Sequence, residues 1–242
     1  MIYKKHTLSN GKLIHFQKIA MRKNKVDLKL YSYEQKFWNK NLFICGIDEV
    51  GRGCLAGPVV TAAAVLHKNA FHPDLIDSKK LSSAKLISTY EWLIKNCFYT
   101  IGINSARIID QKNIYQTTKL TMIQALLHLL NSTKQQPSLI LIDAMPLGPT
   151  FKSIECLSLI KGESHSASIA AASIIAKVTR DKILQRLHKN FPLYNLKQHK
   201  GYATKDHQKS LQQSHSSIIH RQTFLTKIIP QKDFHEQRSI FC

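Results

Sequence analysis

The chain has 242 residues, 43% of them hydrophobic and 21% charged, which is enough to bury a full core and too apolar for disorder. Thirty-five Lys and Arg against fifteen Asp and Glu leave a net charge of +20 and a pI near 9.8, which point to a polyanionic partner, most simply nucleic acid, with a merely lysine-rich composition as the bland alternative. Five scattered cysteines without C-x-x-C or Cys/His ligand spacing exclude a disulfide framework and a zinc site, and no apolar run approaches the roughly 18 residues of a membrane helix.

Residues 1–32 are strongly basic, with Lys4, Lys5, Arg22, Lys23 and Lys25, and are expected to form an N-terminal extension. The opening stretch MIYKKHTLSN has no apolar signal core, so a cytoplasmic protein with reduced thiols is expected. Residues 33–38 (YEQKFW) read as a helix leading into the core. Residues 42–47 (LFICGI) form a short apolar strand that stops at Asp48-Glu49 and a glycine-rich turn. Val59–Leu66 follows as a second strand, so the two make a hairpin.

Ser82 or Ser83 caps a helix whose apolar face includes Leu86, Ile87, Tyr90, Leu93 and Ile94. Residues 98–103 are a third strand. Residues 114–130 are helical, with apolar Leu120, Ile123, Leu126, Leu127 and Leu130. Pro137 breaks the chain before residues 139–142 (LILI), a buried strand, and residues 156–160 are a fifth. A long helix spans about 168–188 and starts with the small-residue tract IAAAS, which allows close backbone approach. Early strands followed by alternation of strands and helices predict an α/β domain with a mixed sheet.

Acidic residues are scarce, so their positions are informative. Asp48 and Asp143 each follow an apolar strand, and Glu163 follows the next strand candidate. In open α/β sheets the carboxyl ends of strands form the ligand mouth. Carboxylates gathered there repel one another unless a cation sits between them, and hard divalent ions suit oxygen donors. Any one strand-end Asp is more often a loop cap; three, in a basic protein, point to metal-dependent phosphodiester chemistry. Consecutive strand residues face opposite ways, so a regular strand cannot turn both Asp48 and Glu49 to the metals, and the backbone is expected to turn at Gly51-Arg52-Gly53.

That tripeptide, with Gly57-Pro58 behind it, lets backbone approach a sugar or phosphate, although alone it reads as a plain hairpin turn. Lys177, Arg180 and Asp181 fall at i, i+3 and i+4 and form either a surface ion-pair cluster or a phosphate-contacting edge. Lys79 and Lys80 are phosphate contacts or simply solvated. Tyr202, in QHKGY, is a stacking surface for sugar or base, or else a core tyrosine.

These segments together resemble the ribonuclease HII, or type 2 ribonuclease H, family. The match runs through GIDEVGRG at 46–53, LAGPVV at 55–60, DSKKLS at 77–82, LID at 141–143 and AASIIAKVTRD at 171–181. It continues through HKGY at 199–202 and His220-Arg221 with Phe224, and covers roughly residues 33–225. The resemblance implies a ribonuclease H-like fold, with a mixed central sheet flanked by helices and a C-terminal helical segment. It implies an endonuclease that cleaves RNA in RNA–DNA hybrids and nicks duplex DNA 5′ of an embedded ribonucleotide. Two divalent ions, Mg²⁺ or Mn²⁺, would leave 3′-hydroxyl and 5′-phosphate ends.

By that resemblance Asp48, Glu49, Asp143 and Glu163 are the catalytic and metal-binding carboxylates. Gly51, Arg52, Gly53 and Tyr202 are the ribonucleotide sensors, and Lys79, Lys80, Lys177 and Arg180 further substrate contacts. Glu163 stands where the pattern more often has Asp, and Cys54 where it more often has Pro. The expected organisation is a basic extension at 1–32, a catalytic domain with its helical segment at 33–225 and a basic tail at 226–242, acting as a monomer. A ribonuclease HIII-like enzyme would carry a larger N-terminal domain, and a binding protein with a degenerate site would not keep its carboxylates.

Overall fold

The computed structural model describes residues 26–133, 136–226 and 228. Most of the basic extension and the C-terminal tail, including QRSIFC, lie outside the described residues. The chain begins with a 3₁₀ turn, Leu28–Tyr31, and α1, Ser32–Trp38. Leu30 and Tyr31 belong to the expected extension, yet both are buried; the Tyr31 ring packs against Trp38 and Phe71. The packed body therefore starts before residue 33.

Six strands form one sheet in the order β3-β2-β1-β4-β6-β5. They are β1 (Ile44–Val50), β2 (Val59–Leu66), β3 (Cys97–Asn104), β4 (Leu139–Asp143), β5 (Thr150–Phe151) and β6 (Ile154–Leu159). β1, β2 and β3 pair antiparallel in sequence, whereas β4 joins β1 in parallel and β6 joins β4 in parallel. The mixed sheet and the hairpin follow the sequence expectation. The two-residue β5 was not foreseen, and β6 ends before the exposed Ile160.

Helices cover both faces, which is why β2 is apolar but for Thr61 and buried along its whole length. Alternate residues divide between the layers: Val60, Ala62, Ala64 and Leu66 pack with the long helix, while Ala63 and Val65 join the opposite cluster. On the first face lie α2 (Ser83–Asn96) and α5 (Ala167–Asn190); on the second lies α4 (Ile114–Ser132), preceded by the unforeseen short α3 (Ala106–Lys112). Ser82 caps α2 by accepting from the Lys85 N–H. Leu86 and Leu93 are buried as expected, but Ile87 and Ile94 are exposed, because the buried stripe is narrower than the apolar one.

Close approach explains the tract IAAAS. A Cβ on Gly46 would lie 2.1 Å from the Ser168 backbone, so β1 touches the start of α5 directly. Only small side chains at that end of the helix allow such contact. Three short helices, α6 (Leu196–His199), α7 (Lys205–Ser214) and α8 (Gln222–Leu225), then pack with the far end of α5 around Leu184, Leu196, Leu211 and Leu225. Among the described residues no helix is long and apolar enough to cross a membrane.

Candidate active site

β1 runs regularly through both acids to Val50, with Asp48 opposite Ala62 and Glu49 opposite Thr61. The chain turns after Val50, at Gly51-Arg52-Gly53 as expected, but the strand stays regular through both acids, so the two side chains leave it on opposite faces. The Glu49 carboxylate still lies close enough to Asp48 and Asp143 for their charges to act on one another. Asp48 faces α5, where the nearby Ser173 hydroxyl favours its charged form. Its Oδ1 also accepts the Glu49 N–H at 2.7 Å.

Strand register brings Asp143 alongside. In the parallel β1–β4 pair Ile47 lies opposite Ile142, and one further step sets Asp48 beside Asp143 on the same face. Asp143 Oδ1 accepts the Gly162 N–H at 2.7 Å, which ties β4 to the short 3₁₀ turn Gly162–Ser164 carrying Glu163. Burial pushes the Asp48 carboxyl well above the usual carboxylate range, and the charges of Glu49 and Asp143 add to the effect. Burial also raises Glu49, with Asp143 reinforcing it, although Arg52, 3.3 Å from Glu49 Oε1, pulls the other way.

Two oxygens at this mouth are buried without a hydrogen-bond partner: Glu49 Oε2 and Glu163 Oε2. An orphaned carboxylate oxygen beside carboxylates held above their ordinary pKa is what a cation would relieve. The donors are all hard oxygens, which fits Mg²⁺ or Mn²⁺. Among the described residues no three Asp, Glu, His or Cys side chains already converge tightly enough to enclose an ion. Such ions commonly complete their shell with water and substrate phosphate.

The expected substrate contacts divide. Lys79 is exposed, with its ammonium 4.0 Å from Glu163 Oε1, and Lys80 is also exposed. Lys177 pairs with Asp181 at 2.9 Å, the ion-pair reading of that helix edge, worth about 0–1 kcal/mol. Arg180 is corrected outright. It is wholly buried and donates to the carbonyls of Pro58, Ala56 and Lys200 at 2.9–3.0 Å, so no guanidinium reaches solvent there. The long helix turns its i+3 position inward, a point that spacing alone left open.

Gly51 adopts φ +91°, and a Cβ there would sit 2.2 Å from Arg180 Nε. The turn thus needs glycine for both conformation and space. Tyr202 is 41% exposed, resolving its two readings in favour of an accessible ring. One face of that ring lies 5.9 Å from the Arg180 guanidinium carbon. Behind it, the His199 and His207 rings stack at 4.2 Å, and His207 Nε2 lies 3.1 Å from His220 Nε2. Burial holds both inner rings neutral, His207 pushed down to about 4 and His220 to about 3.

Several site residues escaped the sequence reading. Ser173 belongs to the small-residue tract and reads there as packing, yet its hydroxyl acts on the Asp48 charge and lies 3.0 Å from that of Ser78, in the DSKKLS loop. Glu34 accepts from the Ser166 hydroxyl at 2.7 Å and the Ser168 N–H at 2.9 Å, anchoring the start of α5. Arg221 is buried under the glycine turn. A basic residue in a short polar stretch gives no local signal of such a place.

A family model described as Ribonuclease HII matches residues 45–227. The Ribonuclease HII of Lactobacillus acidophilus is 41% identical over 219 residues, covering 90% of this chain and 83% of that protein. Among solved structures, the ribonuclease H2 from Pyrococcus horikoshii OT3 superposes with a TM-score of 0.66 at 23% identity, covering 77% of this chain and 97% of that one. Bst-RNase HIII in complex with Mn²⁺ gives 0.55 at 22%, covering 71% of this chain and 61% of that one.

Proposed function

The chain belongs to the ribonuclease HII family, and from that premise we propose that it nicks duplex DNA on the 5′ side of an embedded ribonucleotide, leaving 3′-hydroxyl and 5′-phosphate ends. The family consists of metal-dependent ribonucleases H, endonucleases acting on RNA–DNA hybrids, and that coarser activity is this chain's own. What carries the finer reading is the pairing of two features: carboxylates crowded at the ends of β1 and β4, and an accessible tyrosine tied to the glycine turn beside them.

In this reading Asp48, Glu49, Asp143 and Glu163 hold two divalent ions, Mg²⁺ or Mn²⁺. When bound, such ions neutralise the carboxylates, activate water and stabilise the leaving oxygen of a phosphodiester. The remaining roles belong to the chain. Ser173 and the Gly162 N–H orient Asp48 and Asp143. Arg52 offsets the charge of Glu49 beside the turn. Gly51-Arg52-Gly53 meets the ribose 2′-hydroxyl side of the substrate, and Tyr202 packs on the sugar at the RNA–DNA junction. Lys79, Lys80 and Lys177 draw in phosphates, and the net charge of +20 steers the duplex to them. Glu163 in place of Asp adds a methylene, which shifts the preference between Mg²⁺ and Mn²⁺. We further propose that the chain works as a cytoplasmic monomer, consistent with its four buried, free cysteines among the described residues.

A ribonuclease HIII-like preference for longer RNA fits less well, because the matching family model and the relatives at 41–44% identity are described as Ribonuclease HII. The deciding experiment is cleavage of a DNA duplex with a single ribonucleotide, with and without Mg²⁺ or Mn²⁺. A metal-dependent nick at the DNA–RNA junction is expected. Cleavage confined to hybrids with long RNA runs would overturn the proposal.

A further inference from the structure

Two buried arginines lie beneath the glycine turn, and among the described residues neither forms an ion pair. Their hydrogen bonds go to backbone carbonyls instead. Arg221 donates through Nη2 to Gly51 O at 2.6 Å and to Gly57 O at 2.9 Å, and through Nη1 to Arg52 O at 2.7 Å. Arg180 takes Pro58 O and Ala56 O from the same loop, then reaches Lys200 O, two residues before Tyr202. The two loops are joined directly as well: Leu55 N–H donates to Gly201 O at 2.8 Å, and a Cβ on Gly201 would lie 2.5 Å from Ala56 O.

A planar trans peptide points its N–H away from its C=O. With the Gly51 and Arg52 carbonyls drawn inward onto Arg221, the N–H groups of Arg52 and Gly53 point the other way. Neither N–H has a partner among the described residues. Two consecutive free amides beside a carboxylate mouth are suited to an oxygen of a sugar or phosphate. A guanidinium fork is the side chain able to hold several carbonyls at once; an ammonium on a flexible stem is not. Burial pushes Arg221 down to about 10, still charged at neutral pH.

We infer that Arg221, supported by Arg180, is a positioning residue for ribonucleotide recognition: Arg221 aims the Arg52 and Gly53 amides outward, and Arg180 keeps that loop in register with Tyr202. This rests on the reading of the turn and Tyr202 as ribonucleotide sensors. Arg221 acts through the backbone and does not touch the substrate. A scaffold without this role would lower folded protein and all cleavage alike.

The test compares the full chain with Arg221→Lys and Arg180→Lys, after circular dichroism and a thermal melt have established which proteins fold. For each, kcat and KM are measured on a duplex with one ribonucleotide and on a uniform RNA–DNA hybrid. Binding of the one-ribonucleotide duplex is also compared with that of an all-DNA duplex in EDTA. In folded Arg221→Lys the ratio of single-ribonucleotide to hybrid kcat/KM is expected to fall roughly 10- to 100-fold, mainly in kcat, with weakened preference for the ribonucleotide duplex in binding. Arg180→Lys should move the ratio the same way by less. An unchanged ratio in folded Arg221→Lys, or parallel losses on both substrates, overturns the inference, as does failure of both variants to fold. Absence of junction nicking by the unaltered chain would overturn the functional reading beneath it; junction nicking with indifferent variants overturns this inference alone.

Discussion

The carboxylate mouth and the lobe behind the glycine turn both bury charge, but they treat it in opposite ways. At the mouth, Asp48 and Glu49 are held above their ordinary pKa and two carboxylate oxygens are left without partners. Behind the turn, the buried Arg180 and Arg221 spend their donors on carbonyls, and His207 and His220 stay neutral with nitrogens engaged. Unsatisfied like charge is costly until a ligand arrives, which marks the mouth as the place where binding energy is released. Satisfied charge stiffens backbone instead. The difference separates the residues that act on a substrate from those that shape what acts on it.

The comparison can be broken most sharply at the mouth. Asp48→Asn and Asp143→Asn should each lower cleavage of a ribonucleotide-containing duplex by on the order of 10³-fold, while duplex binding changes little. Near-normal turnover in either variant would remove that carboxylate from the site.

The next test concerns the lobe. Its imidazoles are neutral when folded but titrate near 6.5 when unfolded. A lowered folded pKa means the unfolded chain binds more protons, so stability is full above about pH 6.5 and is lost as pH falls toward about 4 and then about 3. A Tm series in EDTA should decline through that window, and His207→Gln should flatten the decline. An equally steep decline in that variant would place the acid sensitivity elsewhere.

Tyr202→Ala should reduce single-ribonucleotide nicking by roughly tenfold, a loss of one stacking contact, and uniform-hybrid cleavage by less. Equal loss on both substrates would make the ring structural. The smallest effect runs in the stabilising direction. Because folding raises the Asp48 pKa, its cost grows as pH rises above the carboxylate range. At pH 8 without divalent ions, Asp48→Asn should raise Tm by a few degrees, about 1–2 kcal/mol, and blunt the further rise on adding Mg²⁺. A lower Tm in EDTA would mean that the mouth is not under electrostatic strain.

Much of this molecule is legible in its sequence. The order of strands and helices, the hairpin, the helix cap at Ser82 and the long helix after Ser166 follow from apolar period and capping chemistry. The position of Asp48, Glu49 and Asp143 at strand ends is equally readable, because each strand announces itself by a short β-prone apolar run. What periodicity cannot carry is registration between segments. That Asp48 lies beside Asp143 depends on the parallel pairing of β1 with β4, nearly a hundred residues apart. That Arg180 turns inward, against its reading as a phosphate contact, depends on carbonyls of two distant loops converging on it.

The sequence by itself therefore determined which residues could do the chemistry, since local pattern places carboxylates, glycines and a tyrosine at the ends of elements. Only the tertiary structure decided which of them meet, which face Glu49 leaves by, and that Arg180 and Arg221 grip backbone. Those outcomes depend on strand register and on the burial of charges, and both are set by contacts across the chain.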